Sequence, residues 1–235
     1  MIDFHSHILP EIDDGSRNES ESKQLLLEAK NAGFESIVST SHYAVDCYEI
    51  PEYKRQDLLH DLQSTKDSPS LYLGSEIFIT MNMLDILKEH KASTINGTKY
   101  ILFELPLRHS YPNLKTIIDN LKGAEYKLVL AHPERYLEVQ RNFNILKEYK
   151  ENGLLLQCNF GSIIGEYGFA AKRIVKKMLK EHLVDLMGSD VHRSNSTYLK
   201  IPKALEKISK IVSNDYLYQI TTSNAENILN SQKIY

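Results

Sequence analysis

The chain has 235 residues, 42% hydrophobic and 25% charged, which suits one globular domain over residues 1–235 and is short for two. A formal net charge of −3 with scattered Lys and Arg argues against nucleic-acid binding by bulk charge, and no apolar run approaches the ~20 residues of a membrane span. Two cysteines, Cys47 and Cys158, are too few for a disulfide framework, and no basic–apolar leader precedes the first strand, so a reducing cytoplasm is the expected location.

The apolar run 1–4 reads as a strand ending in His5-Ser6-His7, and residues two apart on a strand point to the same side. Asp14 follows on a loop that contains Pro10 and Gly15. Leu25, Leu26, Ala29 and Ala32 recur at helical spacing, with acids in the first turn and Gly33 as a stop, which predicts a helix over 19–32. Short strands are expected at 34–39, 71–73 and 100–103, opening onto His42, Glu76 and Glu104; helices are expected at 51–64, starting at Pro51, and 83–90. A helix at 114–122 then leads to a strand at 127–131, which ends at His132-Pro133-Glu134-Arg135. Helix 143–152, strand 154–157, an amphipathic helix at 170–182 and strand 183–187 follow, the last ending at Gly188-Ser189-Asp190-Val191-His192. Helix 202–212 and one or two short helices within 215–229 close the chain.

Strand then helix recurs about seven times, with no linker or repeat to mark a boundary. Strands separated by helices imply a parallel sheet with right-handed crossovers. About seven such units close into a barrel more naturally than they spread as an open sheet. The expected fold is therefore α/β, a distorted TIM-like (β/α)7 barrel. No glycine-rich dinucleotide turn follows the first strand, which weighs against a Rossmann arrangement.

The residues gathered at predicted strand ends are His5, His7, Asp14, His42, Glu76, Glu104, His132, Asp190 and His192. A single His-x-His or Asp-x-His occurs often by chance. Joint placement at the converging strand ends of one barrel is what makes these residues a site. Imidazole with carboxylate suits zinc, iron and manganese, and a set this large exceeds one ion's coordination, so two or three bridged divalent ions are expected. Arg135 is placed to hold a phosphoryl group bidentately, the plainer alternative being a rim salt bridge with Glu134 or Glu138. Arg108 and Arg193 have less support, and His109 lies near Glu104 on a loop that lines the pocket or leaves it. His60, His90 and His182 fall in helices and read as surface or packing residues. Cysteine phosphatases need an arginine six residues after the cysteine. Here those positions are Tyr53 and Ile164, and neither cysteine fits.

The opening M-I-D-F-H-S-H-I-L-P-E-I-D-D-G, followed in order by T-S-H-Y, G-S-E, F-E-L-P, A-H-P-E-R-Y and G-S-D-V-H, resembles the PHP (polymerase and histidinol phosphatase) superfamily. Within it, H-S-H-I-L-P-x-x-D-D-G is similar to the CpsB/CapC branch of bacterial manganese-dependent tyrosine-protein phosphatases. The likeness covers nearly the whole chain. It implies a distorted barrel with three ions. His5, His7, Glu104 and Asp190 would hold the first; Glu104 would bridge to a second held with His132; Asp14, His42 and His192 would hold the third, with Glu76 close by and Arg135 on the phosphate. It also implies dephosphorylation of the tyrosine-rich tail of a bacterial tyrosine autokinase, and so control of capsule or exopolysaccharide assembly. One departure stands out. Many members of the branch carry Arg-Pro after the final Asp-x-His, where this chain reads H-R-S-N-S-T-Y-L-K-I-P, leaving Arg193 or Lys200 as substitutes.

The expected reaction is hydrolysis of a phosphomonoester by a metal-activated hydroxide, with the ions and Arg135 neutralising the equatorial oxygens. His42, His192 or a water would be the proton donor. The alternatives are a small-molecule phosphatase such as one acting on histidinol phosphate, an amidohydrolase, and a scaffold that has lost activity. The Asp-x-His ending and the apparent carboxylate bridge disfavour the amidohydrolase, and the undegraded ligand positions disfavour the scaffold.

Overall fold

Alternation along the strands divides the apolar residues into two sets, because successive side chains leave opposite faces. Ile37, Leu71, Ile101, Leu128, Leu156 and Met187 pack outward against helices. Val38, Leu102, Val129, Ala131 and Leu186 pack inward with Ile2 and Phe4, and are joined by Ala225, Ile228 and Leu229 near the end of the chain. Burial on both faces is why these strands read as continuous apolar runs.

The computed structural model describes residues 1–231. Its strands are β1 (Ile2–Ser6), β2 (Ser36–Ser39), β3 (His42–Tyr43), β4 (Ser70–Leu73), β5 (Glu76–Phe78), β6 (Tyr100–Glu104), β7 (Lys127–Ala131), β8 (Leu155–Asn159) and β9 (Leu186–Gly188). Every pairing between them is parallel, in the orders β1-β2-β4 and β3-β5-β6-β7-β8-β9. The two sheets are one ladder. Gly74 donates to the Ser39 carbonyl at 2.8 Å and Glu76 to the Thr40 carbonyl at 2.9 Å, so β2 runs on into β3 and β4 into β5. At the other edge Ser6 bridges to Val191, the Asp190 N–H donates to the His5 carbonyl at 2.8 Å, and the His7 N–H donates to the Val191 carbonyl at 3.0 Å. Counting each continued strand once, seven strands curl into a parallel barrel, as the alternation of elements predicts. The register slips between Asp3 and Ser6, which bends β1 as it reaches the site.

The helices follow the predicted pattern with ends shifted by a few residues. Glu19–Asn31 is capped by the Asn18 side chain, which accepts from the Glu21 N–H, and buries Leu25, Leu26 and Ala29. Each leucine so buried contributes about 1.5–3 kcal/mol. Gly168–Lys180 buries Ala171, Ile174, Val175, Met178 and Leu179. Helices at Leu137–Arg141 and Phe160–Ile164 were not expected, because each is little more than one turn and carries too few residues for a period to register. No helix among the described residues is long and apolar enough to cross a membrane.

Candidate metal centre

Eight of the nine residues expected at strand ends fall into three groups of converging donor atoms at one end of the barrel, and the ninth, His132, faces Glu76 at 2.7 Å. His5 ends its reach on β1 and His7 stands just past it, with their Nε2 atoms 3.1 Å apart. Glu76 Oε2 lies 3.0 Å from His5 Nε2 and 3.3 Å from His7 Nε2. Asp190 Oδ1 lies 3.5 and 3.4 Å from the same two nitrogens. Ligand bonds of about 2.0–2.2 Å put neighbouring donors about 3–3.5 Å apart, so these four atoms have the spacing of a first coordination sphere. A second group comprises His7, Asp14, His42 and His192, with Asp14 Oδ1 at 3.5 Å from His42 Nε2 and 3.3 Å from His192 Nε2. A third comprises His42, Glu76 and Glu104, with His42 Nδ1 at 3.3 Å from Glu76 and 3.4 Å from Glu104. The groups share His7, His42 and Glu76, and a mixed nitrogen–oxygen set of this kind suits a bridged cluster of divalent ions.

The arrangement departs from the one the resemblance implies. The carboxylate among His5, His7 and Asp190 is Glu76, not Glu104. Glu76 opens β5, between β3 and β6, and is fully buried; its Oε1 faces His132 Nε2 at 2.7 Å while Oε2 faces His5, His7 and His42. Glu104 ends β6, is half-buried, and reaches His42 at 3.4 Å and His132 at 3.9 Å. Glu76 therefore joins two of the donor groups, where Glu104 belongs to one.

Groups behind the donors hold them in place. Asp13 Oδ2 accepts from His7 Nδ1 at 2.8 Å and from the His42 N–H at 2.9 Å, while Oδ1 accepts from the Gly15 N–H. His5 Nδ1 lies 2.8 Å from Gln157 Oε1, whose amide nitrogen donates to Asn159 Oδ1. His5 and His7 thus each have Nδ1 engaged and Nε2 turned to the cluster. Asp190 Oδ2 accepts from Asn159, Arg135 and Tyr167 at 2.7, 2.7 and 3.2 Å, leaving Oδ1 facing His5 and His7, where it would be free to hold an ion. Buried Asp3 accepts from the Ser189 N–H, the Ser189 hydroxyl and the Tyr198 hydroxyl, and so fixes the turn into Asp190. His132 and Asp190 both have left-handed backbones, φ 34° and 53°, a strained conformation typical of residues that a site over-determines. Gly188 has no alternative: a Cβ there would collide with His5.

None of Asp3, Asp13, Gln157, Asn159 or Tyr167 was singled out from the sequence. Gln157 and Asn159 carry a readable signal, being polar residues two apart in an otherwise apolar strand. Asp13 was masked by its neighbour Asp14. Arg135 stacks on the Tyr167 ring at 4.4 Å and faces a groove of ≈ 510 Å³ lined by Leu107, Arg108, Leu137, Gln140 and Tyr167. Arg193 instead donates to the Gly15 and His192 carbonyls, and Lys200 pairs with Glu166, so neither replaces the missing Arg-Pro. His109, His60, His90 and His182 are exposed and outside the cluster. Both ring nitrogens of His42 face carboxylates, and His192 Nδ1 meets the Asp190 carbonyl at 2.9 Å, so these placements favour ligation over proton donation.

Burial disfavours the charged form of His5, yet Glu76 and Asp190 outweigh it and raise its pKa to about 9. His7 is raised too, chiefly by Asp13 against burial, while Glu76 and Asp190 are held well below the usual carboxylate range by the surrounding imidazoles despite their burial. In metal-stripped protein, a folded pKa above the unfolded 6.5 makes His5 fully stabilising below that pH and progressively less so up to about 9. Thermal unfolding of metal-stripped protein should therefore fall in midpoint across that window, while metal-loaded protein changes far less, and metal uptake at neutral pH should release protons. A flat metal-free profile would remove His5 from the cluster.

A parallel barrel with a histidine–carboxylate cluster at the carboxyl ends of its strands is the architecture of a metal-dependent hydrolase. The chain belongs to the CpsB/CapC family: the family model described as capsular polysaccharide synthesis, CpsB/CapC, matches residues 1–230. It is 31% identical over 244 residues to the tyrosine-protein phosphatase CpsB of Streptococcus pneumoniae, covering 100% of each chain. Against the tyrosine-protein phosphatase YwqE of Bacillus subtilis (strain 168) it is 30% identical over 239 residues, covering 100% of this chain and 94% of that one. A solved structure from work on YwqE of Bacillus subtilis and CpsB of Streptococcus pneumoniae, described as metal-dependent tyrosine phosphatases, superposes with a TM-score of 0.91 at 28% identity, covering 100% of this chain and 96% of that one. The histidinol phosphate phosphatase of Lactococcus lactis shares the fold, with a TM-score of 0.60 at 16% identity over 89% of this chain and 93% of that one.

Proposed function

We propose that this protein is a metal-dependent protein-tyrosine phosphatase that acts in the cytoplasm on the phosphorylated tail of a bacterial tyrosine autokinase, and so regulates capsule or exopolysaccharide synthesis. The observation that carries the reading is the fusion of three donor groups through His7, His42 and Glu76, with Arg135 at their edge. Relatives across the full chain length bear the name tyrosine-protein phosphatase. His5, His7, Asp14, His42, Glu76, Glu104, His132, Asp190 and His192 hold two or three ions, manganese first, with iron and zinc compatible with the same donors.

Such ions supply Lewis-acid polarisation and lower the pKa of water. The protein's own residues do the rest. Arg135 is tethered by one Nη to Asp190 and held flat on Tyr167, which leaves the rest of its guanidinium to orient a phosphoryl group. Leu107 and Leu137 give the adjoining groove apolar walls suited to a phenyl ring. A tyrosinate leaving group, pKa near ~10, needs less proton donation than an alkoxide.

The test is turnover of a phosphotyrosine peptide beside histidinol phosphate by manganese-loaded protein. The peptide should be hydrolysed much faster, a chelator should abolish the activity, and thiol alkylation should leave it intact, since Cys158 is buried and Cys47 belongs to none of the donor groups. Preference for histidinol phosphate would replace the substrate assignment, and loss on alkylation alone would replace the metal mechanism.

A further inference from the structure

Helices Gly168–Lys180 and Ile201–Ser209 both pack on Phe160–Ile164, and together they carry a face whose charge is opposite to that of the chain as a whole. The first holds Lys172, Arg173, Lys176, Lys177 and Lys180 and no acid; the second holds Lys203 and Lys207 with Glu206. The nearby carboxylates are already engaged: Glu166 with Lys200, Glu206 with Lys210, and Glu181 with Lys147 and Lys177. Lys172, Arg173, Lys176, Lys180, Lys203 and Lys207 form no ion pair among the described residues. The cations of the two helices are close enough to feel each other. Lys207 is pulled below its ordinary value, by desolvation first and then by Lys172, Lys203 and Lys176.

At one edge of this face stand two large apolar side chains in solvent, Phe169 at 81% exposure and Leu199 at 60%. The Glu166–Lys200 pair ties their two segments together. Both segments lie at the metal-cluster end of the barrel: Tyr167, which touches Asp190, is two residues from Phe169. We propose that this face docks on an anionic membrane surface, its lysines and arginine on the headgroups and Phe169 and Leu199 in the acyl boundary. A charged bilayer satisfies both features at once. An acidic peptide would use the cations and leave the two apolar side chains bare. The contact sets the mouth of the barrel at the membrane. The surface assignment stands independently of the reaction proposed above.

The chain has no tryptophan, so Phe169→Trp makes a single fluorescent reporter at the anchor. Metal-loaded full-length protein carrying Phe169→Trp should blue-shift and co-sediment with vesicles of two-thirds phosphatidylcholine and one-third phosphatidylglycerol, and do neither with phosphatidylcholine alone. Half-molar salt should reverse the binding. Adding Arg173→Glu, Lys176→Glu, Lys203→Glu and Lys207→Glu should weaken vesicle partition by about a hundredfold or more, with the circular dichroism spectrum and turnover of a soluble phosphotyrosine peptide unchanged. Equal binding to both vesicle types, undiminished binding by the charge-reversed variant, or a blue shift with polyglutamate but not with anionic vesicles would overturn the proposal. The last result would assign the face to an acidic polypeptide.

Discussion

Glu76→Gln is expected to reduce phosphotyrosine turnover by about 10³-fold and to lower the bound metal measured by mass spectrometry. The substitution keeps the shape and removes the charge. Glu76 is the one carboxylate among the described residues that meets His5, His7, His42 and His132, at 3.0, 3.3, 3.3 and 2.7 Å. Its loss strips a buried anion from four imidazoles, and breaking a buried charge pair costs about 3–5 kcal/mol, roughly two to four decades in an equilibrium. Glu104→Gln touches one group and is partly solvated, so about a tenfold loss is expected there. The ordering of the two variants is the sharp part. If Glu104→Gln were the more damaging, the bridge would belong to Glu104 after all.

Asp190→Ala should cost about as much turnover as Glu76→Gln and should also destabilise the fold. One carboxylate serves two purposes: Oδ1 faces His5 and His7, and Oδ2 accepts from Asn159, Arg135 and Tyr167. Removing it leaves buried donors unpaired at about 1–3 kcal/mol each and puts a Cβ-bearing residue without a local acceptor at φ 53°. Asp190→Asn separates the effects. Asparagine tolerates the left-handed backbone, so this variant should unfold near the parent temperature while metal content and turnover fall. Equal unfolding temperatures and equal metal content across all three proteins would mean that Asp190 acts only through Arg135.

Much of this is legible in the amino-acid sequence. The apolar runs and their glycine stops marked the seven barrel positions, since burial on both faces leaves a continuous hydrophobic signature. His5, His7, His42, His132, Asp190 and His192 were readable because each follows such a run, and strand ends in a parallel barrel converge. The choice between Glu76 and Glu104 was not readable. Glu104 sits directly on a clear strand, while Glu76 follows a break at Gly74-Ser75 that conceals the continuity of β4 into β5. Asp13 and Asp14 are adjacent, and only the fold decides that one faces His7 from behind while the other faces His42 and His192 from the mouth.

The seam where β9 returns to β1 bears on how the protein matures. Asp3 bonds to Ser189 across a sequence separation of 186 residues, and the cluster draws donors from both sides of that seam. Bringing such distant segments together costs about 4–5 kcal/mol of chain entropy, a cost met late because non-local pairings form slowly. The His5–His7–Glu76–Asp190 group exists only once the first and last strands have met. The hydrogen bonds from Asp190 and His7 to the opposite strand already close the ring, and an ion held by this group would act as a further clasp across the seam; a nascent chain that has not yet released Asp190 from the ribosome has no complete site to load.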